Sequence, residues 1–247
     1  MTVRPRVLER PGLDHWEARV DLAAAFRWTA RLNMHEAVAN HFSLAVDLEG
    51  IRFLINPNQM HFSRIRASDL LELDADDTDA LSRPEAPDAT AWGLHAPLHR
   101  RYRHARCVMH LHSPFATVLA SFEESILPPI DLNTATFFNR MTVDEALEGL
   151  AFEAEGKRCA AMLTDPRIRI MVMGNHGVLA IGDSVADTFN RLYHFERAAQ
   201  TGKPLRLMSA DLAERVASEV ERYPGQAERH FAEIKALLDE EGSSYAS

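Results

Sequence analysis

Two short apolar segments that run directly into histidine constrain this chain more than any other feature. The first, Cys107–Leu111, contains His110 and is followed by His112. The second, Ile168–Met173, is almost wholly apolar and leads into a glycine-flanked turn that holds His176. Runs of this length and composition predict buried β-strands. Both histidine groups are therefore expected where a strand leaves the sheet.

The spacing of these histidines predicts a metal site. Residues two apart in a strand face the same side, so His110 and His112 are expected to point at one place. Gly174 and Gly177 allow the backbone around His176 to turn sharply and present its imidazole. Three imidazoles suit Zn²⁺ with one open position, and Mn²⁺, Fe²⁺ or Co²⁺ are alternatives. The competing interpretation is structural: an H-x-H pair that only packs, and a hairpin-turn residue at position 176.

The remaining pattern mixes short strands with helices, which indicates an α/β or α+β class. Further strands are predicted over His41–Val46, Arg52–Ile55 and Leu70–Leu73. Helices are predicted, from apolar residues at helical spacing and from capping residues, over Asp14–Ala37, Ala91–Arg103, Pro114–Phe122 with Ser113 as N-cap, Val143–Met162, Ser184–Gln200, Leu212–Arg222 and Ala227–Leu238.

Composition excludes several classes of protein. The net charge of −9 argues against nucleic-acid binding, which needs a basic face. The one basic cluster, residues 99–106, is interpreted as a solvated helix and turn. No apolar run reaches the roughly 18 residues of a membrane span, so no membrane partner is expected. Cys107 and Cys159 are too few for a disulfide framework, and a reducing cytoplasm is the expected location.

Five motifs, in order along the chain, resemble the class II aldolase/adducin family, and most closely its adducin-like bacterial branch. They are Asn40–Ser43, Phe53–Pro57, Ala67–Leu70, His110–Pro114 and Asn175–Val178. The resemblance spans about residues 15–205 and implies a three-layer α/β/α fold with a central, mainly antiparallel sheet flanked by helices. It also implies one domain over residues 1–247, with the C-terminal helices 205–247 as an extension. It further implies a homotetramer, and a metal, usually zinc, held by His110, His112 and His176.

The sequence departs from the sugar-phosphate aldolases of this family in two places. Those enzymes carry an acid/base glutamate just before a tryptophan, whereas Trp92 here follows Ala91, which cannot move protons. The stretches that bind phosphate in those enzymes read here Asn40-His41, Asn58-Gln59 and Ala89-Thr90. The glycines and paired hydroxyls suited to a phosphate are largely absent, so an unphosphorylated substrate is expected.

The resulting prediction is a lyase that cleaves a carbon–carbon bond of a small carbonyl or hydroxy-acid substrate through a metal-stabilised enolate. Aldol cleavage and decarboxylation both stay open. His95 is the predicted proton donor or outer partner of the metal, and His41, Asn58 and His61 are predicted to bind the substrate. The alternatives are a non-catalytic adducin-like scaffold domain, or a metal-dependent hydrolase or oxygenase.

Overall fold

The computed structural model of the chain describes residues 12–77, 79–84, 86–146, 152–200, 209–222 and 225–247. Seven strands lie in these ranges: β1 (His41–Ala45), β2 (Arg52–Ile55), β3 (Leu71–Asp74), β4 (Cys107–Leu111), β5 (Met141–Asp144), β6 (Ile170–Met173) and β7 (Gly177–Gly182). Among the described residues they form one sheet in the order β3-β2-β1-β4-β7-β6-β5. Only β5 and β6 pair in parallel, so the sheet is mainly antiparallel as expected.

Helices cover both faces of this sheet. Those in the described ranges are α1 (Trp16–Arg31), α2 (Ala89–Arg101), α3 (Pro114–Ala120), α4 (Leu132–Ala135), α5 (Phe152–Met162), α6 (Val185–Ala198), α7 (Ala210–Glu221) and α8 (Gln226–Glu240). Residues of α1 and α6 share one hydrophobic core with the sheet, and residues of α2 and α5 share another with its opposite face. The predicted three-layer α/β/α fold is confirmed.

The alternation of side chains along β4 assigns its residues to the two cores. Cys107, Met109 and Leu111 pack in the core that contains α1 and α6, whereas Val108 packs in the core of α2 and α5. Because the period of a strand is two residues, His110 lies on the same face as Val108. The imidazole of His110 therefore lies on the side of the sheet covered by α2 and α5.

Two predicted helices are wrong in their bounds. The helix predicted over Val143–Met162 overlaps the end of β5, because Val143 and Asp144 pair with β6 in the sheet, and the structure describes α5 over Phe152–Met162. The helix predicted over Asp14–Ala37 ends at Arg31, and Asn33 and Ala37 then adopt left-handed backbone conformations with φ of 54° and 45°.

The C-terminal helix α8 packs on the first core through Phe231 and Ile234, and Lys235 forms an ion pair with Asp21 of α1. The prediction of a single domain over residues 1–247 stays a prediction. Cys107 and Cys159 are both free and buried, in agreement with the absence of a disulfide framework. Within the described ranges, no helix combines the length and the apolar character needed to cross a membrane.

Candidate metal centre

The pairing of β4 with β7 brings the three predicted ligands together. Leu111 pairs with Val178 in an antiparallel register, so the chain just after Leu111 runs beside the chain just before Val178. His112 directly follows Leu111, His176 precedes Val178 by two residues, and His110 lies one residue further inside the sheet than Leu111. The ring centroids are 4.8–4.9 Å apart for each of the three pairs. Two separated segments thus place three imidazoles at nearly equal distances from one another.

The turn between β6 and β7 presents His176 in a way that differs from the sequence argument. The left-handed conformation falls on Asn175, with φ of 53°, and not on either glycine. Gly177 is needed for a different reason: a Cβ atom at this position would lie 2.3 Å from the carbonyl oxygen of Leu111. A glycine here therefore allows β7 to approach the end of β4 closely enough to bring His176 beside His112.

One nitrogen of each imidazole faces a backbone or carboxylate oxygen. Nδ1 of His110 donates to the carbonyl oxygen of Val178 at 3.1 Å, and Nδ1 of His112 lies 2.5 Å from Oε2 of Glu36. Nδ1 of His176 is buried without a hydrogen bond among the described residues, and Oε1 of Glu155 lies 3.5 Å from it. Oxygen partners of this kind fix the orientation and tautomer of histidines that bind a metal through the other nitrogen.

The remaining nitrogens suit a metal ion. Nε2 of His110 and Nε2 of His112 are 3.0 Å apart, and one nitrogen from each of the three rings lies within 4.8 Å of the others. Two nitrogens that share a tetrahedral zinc at about 2.0–2.1 Å each are ~3.3 Å apart. Burial lowers the pKa of His110 well below its ordinary value, and burial also lowers the pKa of His112 against the opposing effect of Glu36. Both rings are therefore held in the neutral form that binds metals.

Glu155 reaches the centre because α5 packs unusually closely on α2. A Cβ atom on Gly156 would lie 1.9 Å from the carbonyl oxygen of Gly93, so only glycine permits this contact. The contact leaves Glu155 buried beside His176, with 8% of the residue exposed. Neither Glu155 nor Glu36 was expected at the site from the sequence. A glycine inside a predicted helix was the available signal, since it often marks a close approach of two backbones.

Glu196 anchors the segment that follows His112. Its carboxylate accepts hydrogen bonds from the hydroxyl of Ser113 and from the backbone N–H groups of Phe115 and Ala116. Ser113 occupies the predicted N-cap position of α3, but its side chain makes no capping bond, and the buried Glu196 carboxylate caps the helix instead. This arrangement holds the end of β4 against α6.

His95 and His41 form a buried pair beside the three histidines. His41 pairs with His110 across β1 and β4, and their ring centroids are 4.9 Å apart. Nδ1 of His41 lies 2.7 Å from Nε2 of His95, which is fully buried. The structure therefore places His41 between the predicted catalytic histidine and the candidate metal centre.

Among the described residues, no hydrogen bond or ring contact joins the other two predicted substrate-binding residues to the three histidines. Asn58 is exposed in the loop after β2, and no hydrogen bond within the described ranges joins it to them. His61 contacts His35 through their Nε2 atoms at 2.8 Å and Ser63 through its hydroxyl at 2.8 Å. His61 is thus linked to the loop that carries Glu36, rather than directly to the centre.

The basic cluster at residues 99–106 is only partly exposed to solvent, so its interpretation as a solvated helix and turn is wrong for His99. Arg100, Arg101 and Arg103 are exposed, but His99 is 2% exposed. Its Nδ1 donates to the carbonyl oxygen of Ala105 at 2.8 Å, and its Nε2 lies 2.6 Å from the hydroxyl oxygen of Ser43. Since His95 and His99 are four residues apart on α2, they lie on one helical face and enter the same buried region.

Together the fold and the site define an α/β protein with three imidazoles converging where strands leave a mainly antiparallel sheet. Residues 20–202 match the family model described as Class II Aldolase and Adducin N-terminal domain. The chain belongs to the class II aldolase/adducin family.

Individual relatives agree with this assignment. The chain is 30% identical to the "Putative aldolase class 2 protein PA3430" of Pseudomonas aeruginosa over 188 residues, which cover 75% of this chain and 70% of that protein. It is 24% identical to human Beta-adducin over 184 residues, which cover 74% of this chain and 25% of the adducin. Both relatives are matched over about three quarters of this chain.

Solved structures have the same fold. An aldolase II superfamily protein from Pseudomonas syringae superposes with a TM-score of 0.83 at 25% identity, over 96% of this chain and 98% of that one. L-fuculose 1-phosphate aldolase from Glaciozyma antarctica superposes with a TM-score of 0.78 at 18% identity, over 95% of this chain and 97% of that one. The second likeness concerns the fold alone.

Proposed function

We propose that this chain is a metal-dependent lyase that cleaves a carbon–carbon bond in a small, unphosphorylated carbonyl or hydroxy-acid substrate. The observation that carries the proposal is the convergence of His110, His112 and His176 with their second nitrogens turned towards oxygen atoms. Such a donor set fits Zn²⁺ and leaves a position open for substrate. A domain that only binds other proteins has no need of an open site of this kind.

The three histidines would hold the metal, and the residues around them would hold the substrate. When bound, the ion supplies a Lewis acid that polarises a substrate carbonyl and stabilises the negative charge that develops as the neighbouring bond breaks. His41 borders the centre and would contact the substrate, while His95 would act through His41 as a positioning residue. We retain Asn58 and His61 as candidates for contacts with the outer part of a substrate.

The preference for an unphosphorylated substrate rests on the amino end of α2. The carboxylate of Asp88 already accepts hydrogen bonds from the backbone N–H groups of Thr90 and Ala91, and it also accepts one from the hydroxyl of Thr90. A negative carboxylate stands where a phosphate would need free N–H groups, and it repels a second anion. A carboxylate or carbonyl bound directly by the metal avoids this repulsion.

The test is to measure carbon–carbon bond cleavage with and without metal. Metal-free and zinc-loaded protein would be assayed with a panel of hydroxy and keto acids and with matched sugar phosphates, following release of aldehyde or carbon dioxide. We expect cleavage of an unphosphorylated compound by the zinc-loaded protein alone. Cleavage that survives complete removal of metal would contradict the mechanism, and cleavage restricted to sugar phosphates would contradict the substrate class.

A second candidate function is that of an adducin-like binding domain without catalysis, which the adducin relatives favour. Purified protein that binds no divalent metal even after incubation with zinc would support this candidate over the lyase. If iron is the bound metal and oxygen is consumed, the remaining alternative, an oxygenase, would be favoured instead.

We also propose a homotetramer, as the family resemblance implies. Five large apolar side chains between β4 and β5 are exposed on the single chain: Phe115, Val118, Phe122, Ile126 and Leu132. The first three recur at spacings of three and four residues, so they lie on one side of α3 and its end. Light scattering should report four chains for the wild type and fewer for Val118→Asp, whereas an unchanged mass in the variant would remove α3 from the interface.

A further inference from the structure

A row of buried hydrogen bonds runs from a backbone carbonyl to the edge of the candidate metal centre. It starts at the carbonyl oxygen of Ala105, passes through His99, Ser43 and His95, and ends at His41. Its side chains are at most 4% exposed. Because no solvent reaches the middle of this row of hydrogen bonds, each polar hydrogen in it must be donated by one group of the row to the next.

The carbonyl at one end fixes the direction of every bond. A carbonyl oxygen only accepts, so the hydrogen of His99 is on Nδ1, and Nε2 of His99 must accept from the hydroxyl of Ser43. The oxygen of Ser43 then accepts from Nδ1 of His95, which leaves Nε2 of His95 without a hydrogen. That nitrogen must accept from Nδ1 of His41 across 2.7 Å. In its neutral form, His41 therefore has no hydrogen on Nε2.

Burial keeps His99 and His95, the two rings nearest Ser43, in the neutral form. Desolvation lowers the pKa of His99 to about 4, and it lowers the pKa of His95 well below its ordinary value. A neutral imidazole has one donor and one acceptor nitrogen. Each ring uses its donor nitrogen within this row of hydrogen bonds. Only His41 keeps an acceptor nitrogen for a group outside the row.

The free acceptor of His41 lies at the candidate centre. The ring of His41 lies beside that of His110, with their ring centroids 4.9 Å apart. Among the described residues, His41 is not in the group whose ligand atoms converge for a metal. We propose that the bonds from Ala105 to His41 fix His41 as a hydrogen-bond acceptor for a substrate, and that the site therefore takes a substrate with a hydroxyl group. The second part rests on the proposed function, whereas the first does not.

The first part can be tested without metal, substrate or activity. Long-range proton–nitrogen NMR correlations of metal-free protein, labelled with ¹⁵N-histidine at neutral pH, report which nitrogen of each ring carries the hydrogen. The variants His41→Gln, His95→Gln and His99→Gln would assign the signals. We expect all three rings to carry hydrogen on Nδ1. A hydrogen on Nε2 of His41 would overturn the proposal, even if the protein proves to bind zinc.

A substitution remote from His41 tests whether the bonds act in sequence. Ser43→Ala removes the hydroxyl that links His99 to His95, so we expect His41 to populate both tautomers. The matched control is Thr29→Val, which removes a fully buried hydroxyl that has no hydrogen bond among the described residues. The control should leave His41 in a single form. A single form in Ser43→Ala would show that Ser43 does not position His41.

The preference for a hydroxyl group is tested with lactate and propionate, which differ by that group. We expect zinc-loaded protein to bind lactate more tightly, and lactate alone to shift the nitrogen signal of His41 Nε2 as it accepts the hydroxyl hydrogen. Equal binding of the two acids, or bound lactate with an unmoved Nε2 signal, would overturn the preference while leaving the metal site intact. Failure of zinc to bind would instead refute the proposed function.

Discussion

Oε1 of Glu155 lies 3.5 Å from Nδ1 of His176, at the point where α5 meets the turn between β6 and β7. Both groups are largely buried, and that nitrogen makes no hydrogen bond within the described part of the chain. The relationship joins His176, the last of the three candidate ligands along the chain, to a helix that the sequence did not connect with the site. It also supplies the carboxylate partner that a metal-binding histidine commonly has.

Replacing this carboxylate should weaken metal binding without removing it. Glu155→Gln keeps the shape of the side chain and removes its charge, so we expect zinc affinity to fall by about 10-fold, at the lower end of the effects of such partners. Competition with a chromophoric chelator measures the affinity. Glu219→Gln, on the exposed side of α7, is the matched control and should leave affinity unchanged. If the two variants bind zinc equally well, Glu155 has no part in the centre.

Loss of His95 should separate catalysis from metal binding. His95→Ala leaves Ser43 and His41 without their partner inside the protein, and we expect a loss of about 2–4 kcal/mol in the free energy of unfolding. Zinc content should stay at the wild-type level while turnover slows, because His95 does not contact the three ligands directly. Denaturant titration, metal analysis and kinetics on one preparation test all three points. Unchanged kinetics would assign His95 a purely structural role.

The buried histidines should make the metal-free protein sensitive to acid. His99 has a folded-state pKa of about 4 against an ordinary value of 6.5, so the unfolded chain binds more protons between these values. The contribution of His99 to the free energy of unfolding is therefore fully present above pH 6.5 and is lost as the pH falls towards 4. The loss from His99 alone is about 3 kcal/mol, at about 1.4 kcal/mol for each pKa unit.

The variant His99→Gln provides the comparison for this pH dependence. The absolute stability of the variant will differ, because Ser43 and Ala105 lose their partner, but its dependence on pH should be flatter. Urea titrations of both proteins, without metal, at several values between pH 4 and 7 measure the two slopes. Parallel slopes would show that His99 does not titrate on unfolding in the way its burial implies.

The sequence predicted the parts of the fold that depend on local pattern. Cys107–Leu111 is apolar and short enough to identify β4 directly, and the period of two residues placed His110 and His112 on one face. β5 was missed because its four residues precede a long stretch rich in alanine, leucine and glutamate, whose pattern favours a helix. The pairing of β5 with β6, which no local pattern contains, decides its conformation.

The candidate metal centre could also be predicted only in part from the sequence. The sequence named the three histidines, but the partners of their second nitrogens come from distant segments and depend on how the elements pack. The contact between Gly93 and Gly156 brings Glu155 to the centre. The loop after α1 brings Glu36 to His112. The run of charge around His99 predicts a solvated basic cluster, whereas the spacing of four residues between His95 and His99 places the two on one face of α2. The helical spacing, and not the local charge, agrees with the buried position of His99.

The metal content of the purified protein tests the central claim most directly. Elemental analysis should find about one zinc ion, or another divalent metal ion, for each chain of the wild type, and His112→Ala should lose most of it because two imidazoles cannot hold the ion as tightly. Lys157→Ala, an exposed change on α5, is the control and should keep the wild-type content. A wild type that stays free of metal after incubation with zinc, or a His112→Ala variant that stays fully loaded, would contradict the account.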